Sequence, residues 1–250
     1  MNGNNISKIN TVWDAEEAKT IEEIALELAK MLVALGAVDP IFRQTVWQTK
    51  NQKDLPINLE HFTKEALVDY LTQHMLTRYE GDILKNDGLQ NPALGFKRDM
   101  GFSFVFNYTQ KGESVFSYIP RLGAKGRNAH ALGFFQAAFN FEYTWGLKVL
   151  KQLIQESQTT PKYGCIGLSN VAYTKKIKRE LRIEWPIELA TYFSAEIAPH
   201  LQDLSLHTEK SSRGGLLVYP FSAEDFISDN PTATLTKELL HWNKQLVRQL

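Results

Sequence analysis

The segment Val12–Trp47 constrains this chain more than any other. A short apolar stretch at Val12-Trp13 leads into an acidic turn containing Asp14, Glu16 and Glu17. Thr20 and Glu23 then stand at capping-box spacing, where each side chain can satisfy a backbone N–H at a helix start. Ile21, Ile24, Ala25, Leu28, Met31, Leu32 and Leu35 recur at three- and four-residue steps and so share one helical face. Glu22, Glu23, Glu27 and Lys30 are read as lying mostly off it. Gly36 is expected to close the helix in a left-handed conformation, and Pro40 blocks any continuation. So broad an apolar face requires a sheet or further helices to cover it, which makes this helix a core element.

The remainder suggests mostly strands with a few helices. Ile6 to Trp13 reads as a first strand and Ile41 to Trp47 as a short turn or strand. Gln48 to Asp54 reads as a surface loop. Asn58 is placed as the cap of a second helix running through Met75, with Leu59, Phe62, Leu67, Tyr70 and Leu71 on one side. The charged stretch Thr77 to Pro92 contains Asn86-Asp87-Gly88, a turn signal, and is expected to be a mobile loop. Phe102, Phe104, Phe106 and Tyr108 alternate with smaller residues as a half-buried strand does. Gln110-Lys111-Gly112-Glu113 predicts a hairpin turn, returning along Val115 to Ile119.

Arg121 to Asn128 reads as a basic, glycine-containing loop, followed by a strand from His130 to Phe135. Tyr143 to Ile154 reads as a helix, Tyr163 to Leu168 as a strand and Val171 to Leu181 as a basic helix. Leu189 to Phe193, a segment around Leu204 to Leu206, and Gly215 to Tyr219 complete the strands. A terminal helix begins at Asn230-Pro231-Thr232, with Leu235, Leu239, Trp242, Leu246 and Leu250 on its buried face. No repeat or long linker divides the 250 residues. The expected fold is therefore α+β, a mostly antiparallel sheet packed by amphipathic helices, as a single domain over residues 1–250.

Composition narrows the function. Lys plus Arg and Asp plus Glu number 28 each, so no overall field draws the chain to nucleic acid or an anionic membrane. One cysteine, Cys165, permits no internal disulfide. The first residues lack the apolar core of a signal peptide, and no apolar run approaches the roughly 20 residues of a membrane helix. A cytoplasmic protein with no membrane partner is the expectation.

No motif specifies a reaction. Cys165, within Gly164-Cys165-Ile166-Gly167, has no protease signature around it and reads as a small buried hydrophobe. Gly167-Leu168-Ser169-Asn170-Val171 lacks the second glycine of a nucleophile elbow, leaving Ser169 or Asn170 as a helix cap. Gly123-Ala124-Lys125-Gly126 matches the GxxG loop that clamps a nucleic-acid backbone in KH domains, but it joins expected strands rather than helices. The histidines His61, His74, His130, His200, His207 and His241 show no zinc spacing. No metal, cofactor or catalytic residue is expected.

Charge is unevenly distributed. Arg121 to Arg182 holds eleven Lys and Arg against three Asp and Glu, including the run Lys175-Lys176-Ile177-Lys178-Arg179. A nucleic-acid-binding module using segment 121–182 is the alternative this raises. Ile183 to Pro231 holds eight Asp and Glu against two Lys and Arg. Such an acidic block can steer encounter with a basic partner.

Several short motifs, in order along the chain, carry a resemblance. They are Trp13, Glu16-Glu17, the first helix, Asp39-Pro40-Ile41-Phe42 and Trp47, then Gly101-Phe102-Ser103-Phe104 with Asn107, and finally Gly215-Leu216-Leu217-Val218 with Asp229-Asn230-Pro231. This series resembles the immunity protein 52 family of bacterial polymorphic-toxin systems. The resemblance implies a cytoplasmic, non-enzymatic antidote. Its implied partner is a cognate secreted toxin, a nuclease with a restriction-endonuclease-like fold delivered by contact-dependent or type VI secretion. A nuclease groove is basic because it holds phosphates, so the expected contact surface is acidic. Asp203, Glu209, Glu224, Asp225 and Asp229 are the first candidates, and Asp14, Glu16 and Glu17 the second. Free nucleic acid is not an expected partner, and the oligomeric state is left open.

Overall fold

The computed structural model describes residues 6–48, 54–86, 100–110, 113–134, 142–168, 179, 181–201, 204, 206–220 and 231–248. The chain divides into two compact units, each described by itself. The first comprises Met1–Thr11, Gly133–Gln155 and Thr160–Leu250, the second Val12–Leu132 with Glu156–Thr159. Strand β1 (Ile6–Ala15) gives its first residues to one and its last to the other. Helices combine with antiparallel strands, which makes the chain α+β.

In the second unit, the Thr20 hydroxyl accepts from the Glu23 N–H and the Glu23 carboxylate accepts from the Thr20 N–H, the capping box the spacing predicts. Helix α1 (Ile21–Val38) buries all seven residues of the predicted stripe. The larger ones, Ile, Leu and Met, each contribute on the order of 1.5–3 kcal/mol relative to exposure. Gly36 does not end the helix. It is buried two residues before the end, where an added Cβ would touch Leu59 and Arg43, and Asp39 takes over as cap with extended backbone. The Asp39 carboxylate accepts from the Ile41 N–H and starts the 3-10 turn Pro40–Arg43, which leads into β2 (Gln44–Gln48). Asn58, at the end of β3 (Asp54–Asn58), caps a 3-10 turn and not the second helix. Helix α2 (Lys64–Asn86) begins later, with the Thr63 hydroxyl accepting from Ala66 N–H, and runs through much of the stretch expected as a loop.

The predicted Phe102–Tyr108 strand is two strands, β4 (Met100–Ser103) and β5 (Phe106–Gln110). Between them Phe104 N–H donates to the Pro120 carbonyl. β5 pairs with β2 and with β6 (Glu113–Tyr118), whereas β4 pairs with β7 (Arg121–Ala124), so the change of partner explains the break. The four aromatic rings are nevertheless all buried. The expected loop Arg121–Asn128 is β7, a tight turn and the start of β8 (Gly126–Phe134). Buried Asn128 closes that turn by accepting from Ala124 N–H and donating to the Ala124 and Gly126 carbonyls. Gly123 is required because β7 passes directly under α1. A Cβ there would collide with Ile24, and φ is +77°. The strand order in this unit is β1-β8-β6-β5-β2-β3.

In the first unit the order is β11-β12-β10-β9-β1. β9 (Tyr163–Leu168), β10 (Ala190–Phe193) and β12 (Leu216–Tyr219) fall close to prediction. The strand expected around Leu204–Leu206 is instead β11 (His207–Lys210), with all four residues exposed. Helix α3 (Tyr143–Glu156) buries Val149, Leu150, Leu153 and Ile154. Helix α4 (Pro231–Val247) buries Leu239 and Leu246. Between those leucines, buried Asn243 accepts from Ile187 N–H and donates to the Ile187 and Leu239 carbonyls, each at 2.8 Å. The expected helix Val171–Leu181 lies outside the described residues apart from Arg179 and Leu181, both helical.

Candidate functional site

Strand alternation places Trp13 inward, 2% exposed, and Asp14 outward on β1. The chain then bends through Glu16 and Glu17, both exposed, before Ala18 turns inward again. Lys19 N–H donates to the Gly123 carbonyl, which anchors the turn on β7. Lys19 is the single cation between Asp14 and Glu23. Its ammonium does not serve the acidic turn: it donates to Glu27 Oε2 at 2.8 Å and to Gln158 Oε1.

Glu27 corrects the sequence reading. Spacing puts it among residues mostly off the apolar face of α1, yet its side chain is 1% exposed. Position 27 neighbours both Ile24 and Met31 at helical spacing, so it borders the stripe. Beneath it lies His130, fully buried on β8. Tyr118 OH and His130 Nδ1 are 2.7 Å apart, and His130 Nε2 lies 3.4 Å from Glu27 Oε1. With Tyr118 donating to Nδ1, the Nε2 proton faces the carboxylate at the distance of an ion pair, longer than a well-formed hydrogen bond. The Trp13 ring covers the imidazole at 5.0 Å, and the Tyr118 ring stacks on it at 5.9 Å.

Burial pushes the Glu27 carboxyl up, but His130 and Lys19 together outweigh it and hold the group below the ordinary carboxylate range. A carboxyl whose folded pKa is depressed contributes stability that is present above its unfolded value, roughly 4.3. That contribution is lost as pH falls through the lowered folded value. Urea unfolding at a series of pH values from 7 to 3 is therefore expected to show a loss of stability below about pH 5 that is shallower in Glu27→Gln. Identical slopes in the two proteins would contradict the assignment.

The other acidic candidates divide. Asp203, Glu224, Asp225 and Asp229 lie outside the described residues. Glu209 is exposed on β11, and Lys151 Nζ donates to both its carboxylate oxygens, at 2.9 and 2.8 Å. Tyr219 OH donates to Oε2 at 2.8 Å. The Lys151 and Tyr219 hydrogen bonds hold the Glu209 carboxyl below its ordinary range. It is a locally compensated acid on the edge strand.

Cys165 is fully buried on β9 and its thiol donates to Asn10 Oδ1 at 3.0 Å, which removes the solvent access a thiol nucleophile needs. Ser169 and Asn170 lie outside the described residues. In the basic segment, Arg121, Lys125 and Arg127 are exposed around the β7–β8 turn, whereas Lys175, Lys176 and Lys178 lie outside the described residues. Among the described residues, no group of three His, Cys, Asp or Glu could hold a metal ion, and no helix is long and apolar enough to cross a membrane.

These features define an α+β protein that presents an exposed acidic turn braced by a buried carboxylate. No family model matches the chain, and no curated protein matches it. Among solved structures it is similar to the Pseudomonas aeruginosa T6SS protein PA0821, with a TM-score of 0.49 and 11% sequence identity over 96% of this chain and 72% of that one.

Proposed function

We propose that this chain is an antidote that binds and neutralises a cognate secreted toxin, a nuclease, through an acidic surface centred on Asp14, Glu16 and Glu17. One observation carries the reading: the turn exposes its carboxylates while the single local cation, Lys19, is turned inward onto Glu27. The Asp14 and Glu16 carboxylates thus face solvent, where negative potential complements a groove built to hold phosphates. The bracing beneath it limits the ordering cost of binding. The ordered series of short motifs that resembles the immunity protein 52 family agrees with the same reading. In it the chain acts in the producer's cytoplasm, by occlusion and without a reaction of its own.

The test is co-expression with the product of the neighbouring reading frame, co-purification, and stopped-flow association at two ionic strengths. The triple variant Asp14→Lys, Glu16→Lys and Glu17→Lys is expected to associate at least about tenfold more slowly at low salt, with a flatter salt dependence. An unchanged rate would remove the acidic turn from the interface. Failure to co-purify at all would count against the antidote reading itself.

A further inference from the structure

The strand order of the first unit begins at β11, whose four residues are all exposed. Its hairpin with β12 fixes which way the main chain points. Gly214 N–H donates to the Ser211 carbonyl and Ser211 N–H to the Gly215 carbonyl, so Ser211 faces β12. Bonded positions alternate along an antiparallel pair. The pairs Glu209–Leu217 and His207–Tyr219 are in phase with Ser211, so Glu209 and His207 also turn their main chain to β12. Thr208 and Lys210 turn their N–H and C=O groups the other way, where no strand among the described residues pairs with them. Such an open row is a template for a further strand. The end strand of the second unit, β3, carries Pro56 at its centre, a residue that discourages such pairing. β11 has no proline.

Side chains decide which strand fits. An antiparallel β11 from a second copy can set its Thr208 and Lys210 against the same two residues in three ways. With Thr208 opposite Lys210, Glu209 falls opposite Glu209. With Lys210 opposite Lys210, two ammonium groups meet. Like charges directly opposite are destabilising. With Thr208 opposite Thr208, neither happens. Each Glu209 then lies across from the second copy's His207, and each Lys210 stem across from Leu206. The charges that commonly blunt an edge strand here select one alignment. Glu209 is already set for that contact. Lys151 donates to both its oxygens and Tyr219 to Oε2, which fills three of a carboxylate's roughly four acceptor positions and leaves one on Oε1. His207 is held on the same face, its ring 5.6 Å from that of Tyr219.

We propose that β11 pairs with β11 of a second copy of this chain about a twofold axis at Thr208, extending the sheet across a homodimer. The two Thr208 residues exchange main-chain hydrogen bonds, and His207–Glu209 pairs flank them on either side. Two four-residue strands bury far less than a standard interface. The association is therefore weak and depends on concentration. The site is in the first unit and does not depend on the antidote reading.

Sedimentation velocity of the full chain over a range from about 10 to about 500 µM tests it, with amide hydrogen exchange at both ends of that range. A reversible monomer–dimer equilibrium with a Kd of about 200 µM or tighter is expected, and the Thr208 and Lys210 amides should gain protection at the high end. Thr208→Pro removes the donor at the axis, an N–H that β12 does not use, and should leave only monomer. His207→Glu sets two carboxylates against Glu209 and should weaken association about fivefold or more, whereas His207→Lys should preserve or tighten it. Circular dichroism of each variant separates lost pairing from lost fold. A monomer throughout the range overturns the proposal. So does a dimer that Thr208→Pro leaves unchanged, or one that His207→Glu and His207→Lys affect equally. A Thr208 amide protected only when the product of the neighbouring reading frame is added would assign the edge to a strand of that partner and overturn self-pairing.

Discussion

Glu27→Ala is expected to destabilise the chain by about 3–5 kcal/mol, the usual cost of breaking a buried ion pair from one side. Three things are lost together. The Lys19 ammonium, in a side chain 17% exposed, loses its 2.8 Å partner, and His130, wholly buried, loses its facing carboxylate. A void is also left beside the His130 ring. Urea unfolding monitored by tryptophan fluorescence reads the effect. A companion variant decides its origin. Replacing Lys19, Glu27 and His130 together by methionine, leucine and phenylalanine removes every member of the ionic group and restores volume. It is expected to recover most of the loss, because desolvating the Lys19 and Glu27 charges is itself expensive and the polar histidine facing them is removed as well. If the triple variant is as unstable as Glu27→Ala, packing rather than charge accounts for the cost. A change below about 1 kcal/mol in the single variant would mean that Glu27 is not buried as described.

The second large effect concerns adjacent glycines before β12. Gly214 and Gly215 have φ of +78° and +79°, so both hold a left-handed backbone. Their surroundings differ. A Cβ on Gly215 would fall on the Phe193 carbonyl oxygen and the Ser194 backbone, far inside van der Waals contact, whereas one on Gly214 would meet only the Ala195 methyl at 3.9 Å. Gly214→Ala should therefore cost about 1 kcal/mol, the left-handed strain alone. Gly215→Ala must also force β12 away from β10 at the Phe193–Leu216 pair and is expected to cost about 3 kcal/mol or more. Thermal unfolding of the two variants side by side compares them. Equal losses would show that β12 accommodates the methyl by a shift of the loop.

How much of this was legible in the sequence depended on whether local signals acted alone. The capping box at Thr20 and Glu23 and the apolar stripe of α1 are set by spacing within one helix, and both formed as expected. The β5–β6 hairpin also followed from its own turn, with Gln110 paired to Glu113. Asn58 misled because its side chain caps a 3-10 turn as readily as a helix, and Thr63 was the true start signal. The break at Phe104 was invisible because alternation continues through it, and only the pairing partners change. At the acidic turn the sequence showed the carboxylates but not where Lys19 points. Glu27 and His130, more than a hundred positions apart, could be joined only by the tertiary packing of α1 on β8. A charge bordering an apolar stripe was the one local hint.

The carboxamide of Asn243 engages the main chain of Ile187 much as a neighbouring strand would. Leucines alone could seat α4 one turn higher or lower at modest penalty, since grease has no direction. The amide acts as a detent, and slipping by a turn would strand two main-chain groups away from water. The last helix is thereby given an address as well as an affinity, and Leu246, one turn further on, is delivered to the same place each time the chain folds.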